Sequence, residues 1–255
     1  MRFVDLSVHL DNETPLDPAF LRPKIEYKNH QEGLKDMFNM YGITPEQLPD
    51  GQGLAAETVT ITTHSGTHID APWHYHPTQN NGEKAWTIDE VPLDWFFRPG
   101  VKIDLTHLPN GTIVMPHHIE EALAKINYEL QPYDICLFHT IASSAYGRDD
   151  FIDTGIGFGD EVTMWLTDKG IRVVGTDAWG WDLPVSIARK LFEETGDPSH
   201  VWDGHKAGRK VAYCQIEKLH NLESIPATGF TVACFPTKVR AASAGWTRAV
   251  AIFND

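Results

Sequence analysis

Thirteen consecutive residues, His64 to His76, read H-S-G-T-H-I-D-A-P-W-H-Y-H and hold four of the chain's thirteen histidines beside one carboxylate, Asp70. No other stretch restricts the fold as strongly, because these side chains are useful together only if the backbone brings them to one point. Imidazole nitrogens with a carboxylate oxygen are the donor set of zinc, manganese and related divalent metals. Gly66 permits a tight or left-handed step, while Pro72 stops a helix from running through and pushes Ala71 into an extended conformation. His64 and His68 are therefore not the i, i+4 pair of an H-E-x-x-H helix. In extended chain His68 and Asp70 project from the same side, and His64 reaches them across a Gly66–Thr67 turn. One histidine in such a loop is ordinary surface; the set predicts a metal site formed by His64, His68 and Asp70.

The rest of the chain supplies an α/β frame. Arg2–Val8 reads as a strand, followed by an acidic loop over 11–17 and a long polar excursion through 24–35. T-P-E-Q at Thr44–Gln47 has the composition of a helix start, with Thr as cap and Pro in the first turn. Glu57–Thr63 alternates and is rich in β-branched residues, which predicts a half-buried strand delivering His64 at its end. Further strands are expected at 101–105, 134–139, 171–175, 210–217, 230–235 and 246–253. Helices are expected at 117–129, 160–169 and 186–195, the last two closed by Gly170 and Gly196. Helix followed by strand twice over predicts a layered α/β arrangement in one domain, 1–255. The 11–55 excursion reads equally as a lid or as a subunit contact.

Composition narrows the function. A formal charge of −14, from 35 acidic and 21 basic residues, argues against nucleic acid or an anionic membrane as the main partner. No apolar run approaches the ~20 residues of a membrane span, and M-R-F-V-D-L-S-V-H-L lacks a secretory core, so the expected location is the cytoplasm. Cys136, Cys214 and Cys234 lie far apart in apolar runs and read as packing residues in a reducing compartment. Neither a G-x-S-x-G elbow nor a Cys/His pair at catalytic spacing is present, which leaves little for a serine or cysteine nucleophile. A purely structural metal site would favour four closing ligands, often cysteines, and this stretch has none.

Other ligands are less evident. His117 and His118 open a predicted helix, and His139 ends a buried strand. His205 lies in D-G-H-K-A-G, a glycine-flanked turn, with Glu217 twelve residues on at a strand end. Spacing alone leaves that pair open. The tryptophans Trp73, Trp179 and Trp181 are candidate walls of a pocket for a flat ring, although such a cluster packs a core as readily.

The pattern His64-Ser65-Gly66-Thr67-His68-x-Asp70-x-Pro72-x-His74 resembles the signature H-x-G-T-H-x-D-x-P-x-H of the metal-dependent cyclase family, which includes bacterial kynurenine formamidase, isatin hydrolase and the trans-dienelactone hydrolases. Weaker echoes are D-L-S at 5–7, the spacing of His205 and Glu217, and K-V-R…R-A-V-A-I over 238–252. The resemblance implies a swivelling β/β/α-type mixed sheet with flanking helices, assembled as a homodimer or higher homo-oligomer. It implies that His64, His68 and Asp70 bind one metal, that Asp70 bridges to a second completed by His205 and Glu217, and that His74 donates and accepts protons. Zn²⁺ and Mn²⁺, one or two per chain, both suit the ligands. The loop after D-L-S has no tryptophan, where the formamidase branch carries one, and the chain inserts extra sequence before the motif and between His74 and His205. Those departures favour a hydrolase that opens a small cyclic amide or lactone, isatin-like or a dienelactone, over one that cleaves N-formyl-L-kynurenine. A small aromatic or cyclic molecule is the expected substrate, and a non-catalytic metal-binding protein is the reading from outside the class.

Overall fold

Strands whose residues are apolar at successive positions form the buried middle of the molecule. Ile135, Cys136, Leu137 and Phe138 are all buried, as are Val173–Thr176 and Cys214–Glu217, the expected state of parallel strands covered on both faces. The computed structural model describes residues 1–254. In chain order it contains β1 (Arg2–Asp5), β2 (Lys24–Lys28), α1 (Leu34–Tyr41), β3 (Ala56–Thr60), β4 (His68–Asp70) and α2 (Pro72–Tyr75). Then come β5 (Thr78–Gln79), β6 (Glu83–Lys84), β7 (Phe97–Asp104), β8 (Ile113–Val114), α3 (Pro116–Lys125), β9 (Ile135–His139) and β10 (Gly157–Phe158). The remainder is α4 (Asp160–Asp168), β11 (Val173–Thr176), α5 (Val185–Thr195), α6 (Asp203–Lys206), β12 (Cys214–Glu217), β13 (Phe230–Ala233), β14 (Ala244–Trp246) and β15 (Val250–Phe253).

Nine strands make one mixed sheet in the order β1-β15-β13-β7-β9-β11-β12-β4-β14. β7, β9, β11 and β12 are mutually parallel, and every other pairing in the sheet is antiparallel. Helices α3 and α4 carry the crossovers from β7 to β9 and from β9 to β11. Alternate side chains go to opposite layers. Ile135, Leu137, Val173, Cys214 and Ile216 pack with Leu6, Ile69, Phe96 and Leu219 on one face. Cys136, Phe138 and Val174 pack on the other with Ile119 and Leu123 of α3 and Val162 and Leu166 of α4. The expected mixed sheet with flanking helices is what the chain forms. The three cysteines are buried and free, and among the described residues no helix is long and apolar enough to cross a membrane.

β14 and β15 stand at opposite parts of the strand order, yet only Thr247, Arg248 and Ala249 join them. Such a link spans at most about 14 Å, whereas strands this far apart in a flat sheet would be separated by about twice that at ~4.8 Å per strand. The sheet therefore curls back on itself. Thr247 N–H donates to Thr67 O (3.1 Å) and Leu6 N–H donates to Ala249 O (2.9 Å), fastening the two margins. Here the expectation of one strand over 246–253 is corrected: the run is two strands split by a crossing.

Other expectations change as well. The alternating Glu57–Thr63 segment forms β3 only as far as Thr60, pairs solely with β2 in a two-stranded hairpin, and is largely exposed. Alternating β-branched residues specify extended chain whether or not a layer covers them, so the hairpin looks like a core strand in sequence, and the excursion at 24–35 begins as its partner. Of the expected strand 210–217 only Cys214–Glu217 pairs. The T-P-E-Q start makes a single 3₁₀ turn, Pro45–Gln47, with Thr44 N–H donating to Gln47 Oε1 at 2.8 Å.

Where β9 and β11 end, a buried carboxyl ties them together. Thr140 donates from its N–H (2.9 Å) and hydroxyl (2.6 Å) to Asp177. Burial pushes the Asp177 carboxyl up to about 7, with Glu223 adding to the effect against the Thr140 hydrogen bonds. A carboxyl raised in the folded state favours folding most below its unfolded pKa near 4, and that contribution disappears as pH rises through about 7. Wild type is thus expected to lose stability relative to Asp177→Asn between pH 4 and 7, which urea melts across that range will test.

Candidate metal centre and active site

The site grows from the register of β4 and β12. His68 lies opposite Glu217 and Asp70 opposite Gln215, with Ile69 and Ile216 turned to the core layer, so His68, Asp70 and Glu217 share one face. His68 Nε2 lies 3.5 Å from Glu217 Oε2 and 3.2 Å from Asp70 Oδ1. The preceding turn needs Gly66: its φ is +61°, and a Cβ there would meet Leu10 Cδ2 at 2.3 Å. That turn brings His64 Nδ1 to 2.9 Å from Asp70 Oδ1, while His64 Nε2 bonds Ser243 Oγ at 2.9 Å. On the far side Ala71 is extended and Pro72 opens the one-turn helix α2, a position where its missing N–H is harmless. α2 turns His74 inward, Nε2 3.8 Å from Asp70 Oδ2. His205 reaches the same oxygen at 3.8 Å from the short helix α6. Gly204 lets α6 approach, since a Cβ there would meet Phe158 O at 2.0 Å.

The four other residues expected as ligands and His74 are therefore assembled around Asp70. Among the described residues, two sets have donor atoms mutually close enough for one ion: His64, Asp70, His74, and His68, Asp70, Glu217. Asp70 belongs to both. Its two carboxylate oxygens and His68 Nε2 are buried without a hydrogen-bond partner. Orphaned buried polar atoms are costly, and three of them converging on one point fit a divalent cation.

Electrostatics agree. Burial alone would raise Asp70, but His74, His68, His205 and His64 hold it well below the carboxylate range. Burial, and then the charge of Asp70, push Glu217 up. Burial among neighbouring imidazoles brings His74 down to about 4 despite Asp70, so it is neutral at pH 7. Burial would depress His205 too, but Asp182 beside its Nδ1 carries it up to about 10. The carboxylates thus favour positive charge among them.

Several supporting residues had no sequence signal of their own. Asp182 accepts from His205 Nδ1–H and from the Gly204 N–H (2.6 Å), fixing the ring so that Nε2 faces Asp70. Trp202, just before α6, stacks on the His205 ring at 4.8 Å between centroids. Lys218 follows Glu217 and is fully buried, its Nζ donating to Asp17 Oδ1 (2.6 Å) and to His64 O (2.8 Å). Asp17 also accepts from Gly66 N–H (3.1 Å) and Trp179 Nε1–H (3.1 Å). This ion pair clamps the His64 turn to the end of β12. Lys218→Met leaves Asp17 buried without its cation and is expected to cost about 3–5 kcal/mol of stability, measurable by denaturant unfolding.

The tryptophans divide. Trp179 lines a cavity of about 450 Å³ that also contains His64, His74, His205 and Glu217 on its wall. Trp181 is corrected to core: it is fully buried, stacked on Phe158 at 4.0 Å, its indole N–H bonded to Thr163 Oγ1. Only its backbone touches the site, N–H to Glu217 Oε1 at 3.2 Å. Trp73 is half exposed and outside the cavity wall, because α2 directs His74 inward and its neighbour outward. His76 bonds Thr78 and takes no part.

Residues 4–183 match the family described as putative cyclase. The chain is 26% identical over 207 residues to a kynurenine formamidase of Salinibacter ruber, covering 81% of this chain and 84% of that protein. Isatin hydrolase A from Labrenzia aggregata, solved with benzyl benzoate, superposes with a TM-score of 0.74 at 21% identity over 100% of this chain and 94% of that one. A structure described as a potential metal-dependent hydrolase with cyclase activity gives 0.64 at 21% identity over 98% and 96%.

Proposed function

This chain belongs to the putative cyclase family, and from that premise we propose that it is a metal-dependent hydrolase opening a small cyclic amide or lactone. The observation that carries the reading is Asp70: a buried carboxylate with both oxygens unpartnered, ringed by four histidines and Glu217, at the edge of a cavity large enough for a small ring. His64, His68, Asp70, His205 and Glu217 would hold one or two Zn²⁺ or Mn²⁺ ions, with Asp70 shared. A divalent ion in such a site polarises a carbonyl and makes water acidic enough to supply hydroxide near neutral pH.

The chain's own groups do the rest. His74 is neutral at pH 7 and partly open to the cavity, so its Nε2 can take a proton from water and return it to the departing nitrogen or oxygen. Asp182 holds the Nδ1 proton of His205, so that Nε2, on giving up its own proton, would be the nitrogen that holds an ion. Trp179 and Trp202 offer flat faces to a ring.

Likeness to kynurenine formamidase supports a second substrate, N-formyl-L-kynurenine, on the same machinery. Both substrates belong in one test. Metal content by mass spectrometry, with hydrolysis of isatin, a dienelactone and N-formyl-L-kynurenine, is measured before and after dialysis against chelator. Loss of turnover in chelator and its return with Zn²⁺ or Mn²⁺, at unchanged circular dichroism, is the expected result. Turnover indifferent to chelator, or a chain that binds neither ion, overturns the proposal.

A further inference from the structure

Helix α5 presents Val185, Ala188, Arg189 and Phe192 at i, i+3, i+4 and i+7, a single stripe. An apolar stripe on a helix is normally buried against its own protein. Here Ile187 turns elsewhere, packing over Gly111, and the stripe stays open, with Val185 57% and Phe192 42% exposed. Val201 and Trp202, in the segment leading to α6, are 42% and 44% exposed. These exposures are not scattered. All the stripe residues, with Ile152, Val201 and Trp202, wall the same cavity that His64, His74 and His205 enter. Contiguous exposed apolar surface of this kind marks a ligand site, and about 450 Å³ falls within the range that encloses whole small molecules.

The charged groups on that wall other than the exposed Arg189 are engaged within the chain. Lys218 is held by Asp17 and the His64 carbonyl, and Asp182 by His205 and the start of α6, while Arg189 Nε donates to Glu193 at 2.8 Å. Apart from Arg189, no charged side chain of α5 lines this cavity.

We propose that the substrate has an apolar body, a fused ring or hydrocarbon chain, lying along the α5 stripe while its reacting carbonyl faces Asp70 and His74. This rests on the hydrolase reading for the carbonyl and goes beyond it in naming what lies behind that carbonyl. Ala188 and Phe192 set how much body is accepted.

The test is binding of N-ethyl-, N-butyl- and N-hexyl-2-pyrrolidinone to the metal-loaded protein by calorimetry. These are neutral, inert amides that differ only in apolar length. Kd is expected to fall about four-fold per added methylene. Ala188→Trp, which fills the chamber, and Phe192→Ser, a half-exposed position that spares the fold, should each flatten that dependence. Equal Kd values across the series, or a dependence untouched by both variants, overturn the proposal. So does a dimer in sedimentation velocity that Phe192→Ser dissociates without any chain-length effect, since the stripe then belongs to a second copy. Length-dependent binding with no hydrolysis of any panel member would sink the hydrolase reading alone. Hydrolysis of isatin or the dienelactone with length-independent binding would sink this inference alone.

Discussion

Asp70→Ala is expected to abolish metal retention and hydrolysis together, with kcat/KM lower by at least on the order of 10³-fold. The size follows from position. Asp70 is the one side chain common to both sets of convergent donors, and both its oxygens are buried without a hydrogen bond. Removing it leaves His64, His68, His74 and His205 facing each other, with Glu217 beside His68 and Asp182 beside His205 as the remaining carboxylates. Metal content by mass spectrometry and turnover on the hydrolysis panel should fall in step, while circular dichroism stays native, because Asp70 holds its place in the sheet through backbone pairing with β12 and β14. Full metal occupancy with a near-normal rate in the variant would disprove the assignment.

His74→Ala is expected to separate the two quantities. Metal content should stay at the wild-type level while kcat drops about 10²- to 10⁴-fold, the usual contribution of a positioned acid–base group, and KM changes little. The ring is partly exposed and sits on α2 rather than on the sheet that carries His68, Asp70 and Glu217. His74 also lies within ligand reach of His64 and Asp70. Loss of metal in the variant would therefore make it a ligand, so one measurement decides between the two roles.

What could be read from the sequence was local. Gly66, Pro72 and the alternation of His68 and Asp70 state their own backbone, so the turn, the extended segment and the shared face all follow from neighbours a few residues apart. The parallel strands were legible for a similar reason, since I-C-L-F and V-V-G are apolar enough to need cover on both sides. Glu57–Thr63 misled because β-branching reports extension and not burial. Trp181 misled because its neighbour Trp179 faces the cavity while it faces Phe158, a difference made by the chain's path after β11. Asp182, Lys218 and Asp17 act across 23, 154 and 201 residues of separation, and no short pattern records such partnerships. Adjacency was their one available signal: Lys218 follows Glu217, and Trp202 precedes the turn of His205.

β4 is three residues long and hydrogen-bonds only to β12 and β14, both drawn from the last quarter of the chain. During synthesis His68 and Asp70 emerge early and then wait, without a sheet to join, until nearly all of the polypeptide has left the ribosome. Such distant pairings make folding slow and late at this point. The parallel strands β7, β9 and β11 can condense first around their crossover helices, and the ligand strand is seated only when β12 and β14 close on it. The candidate metal-binding cluster is then assembled among the last events of folding, and before that stage the histidine-rich segment has no formed site to offer an ion.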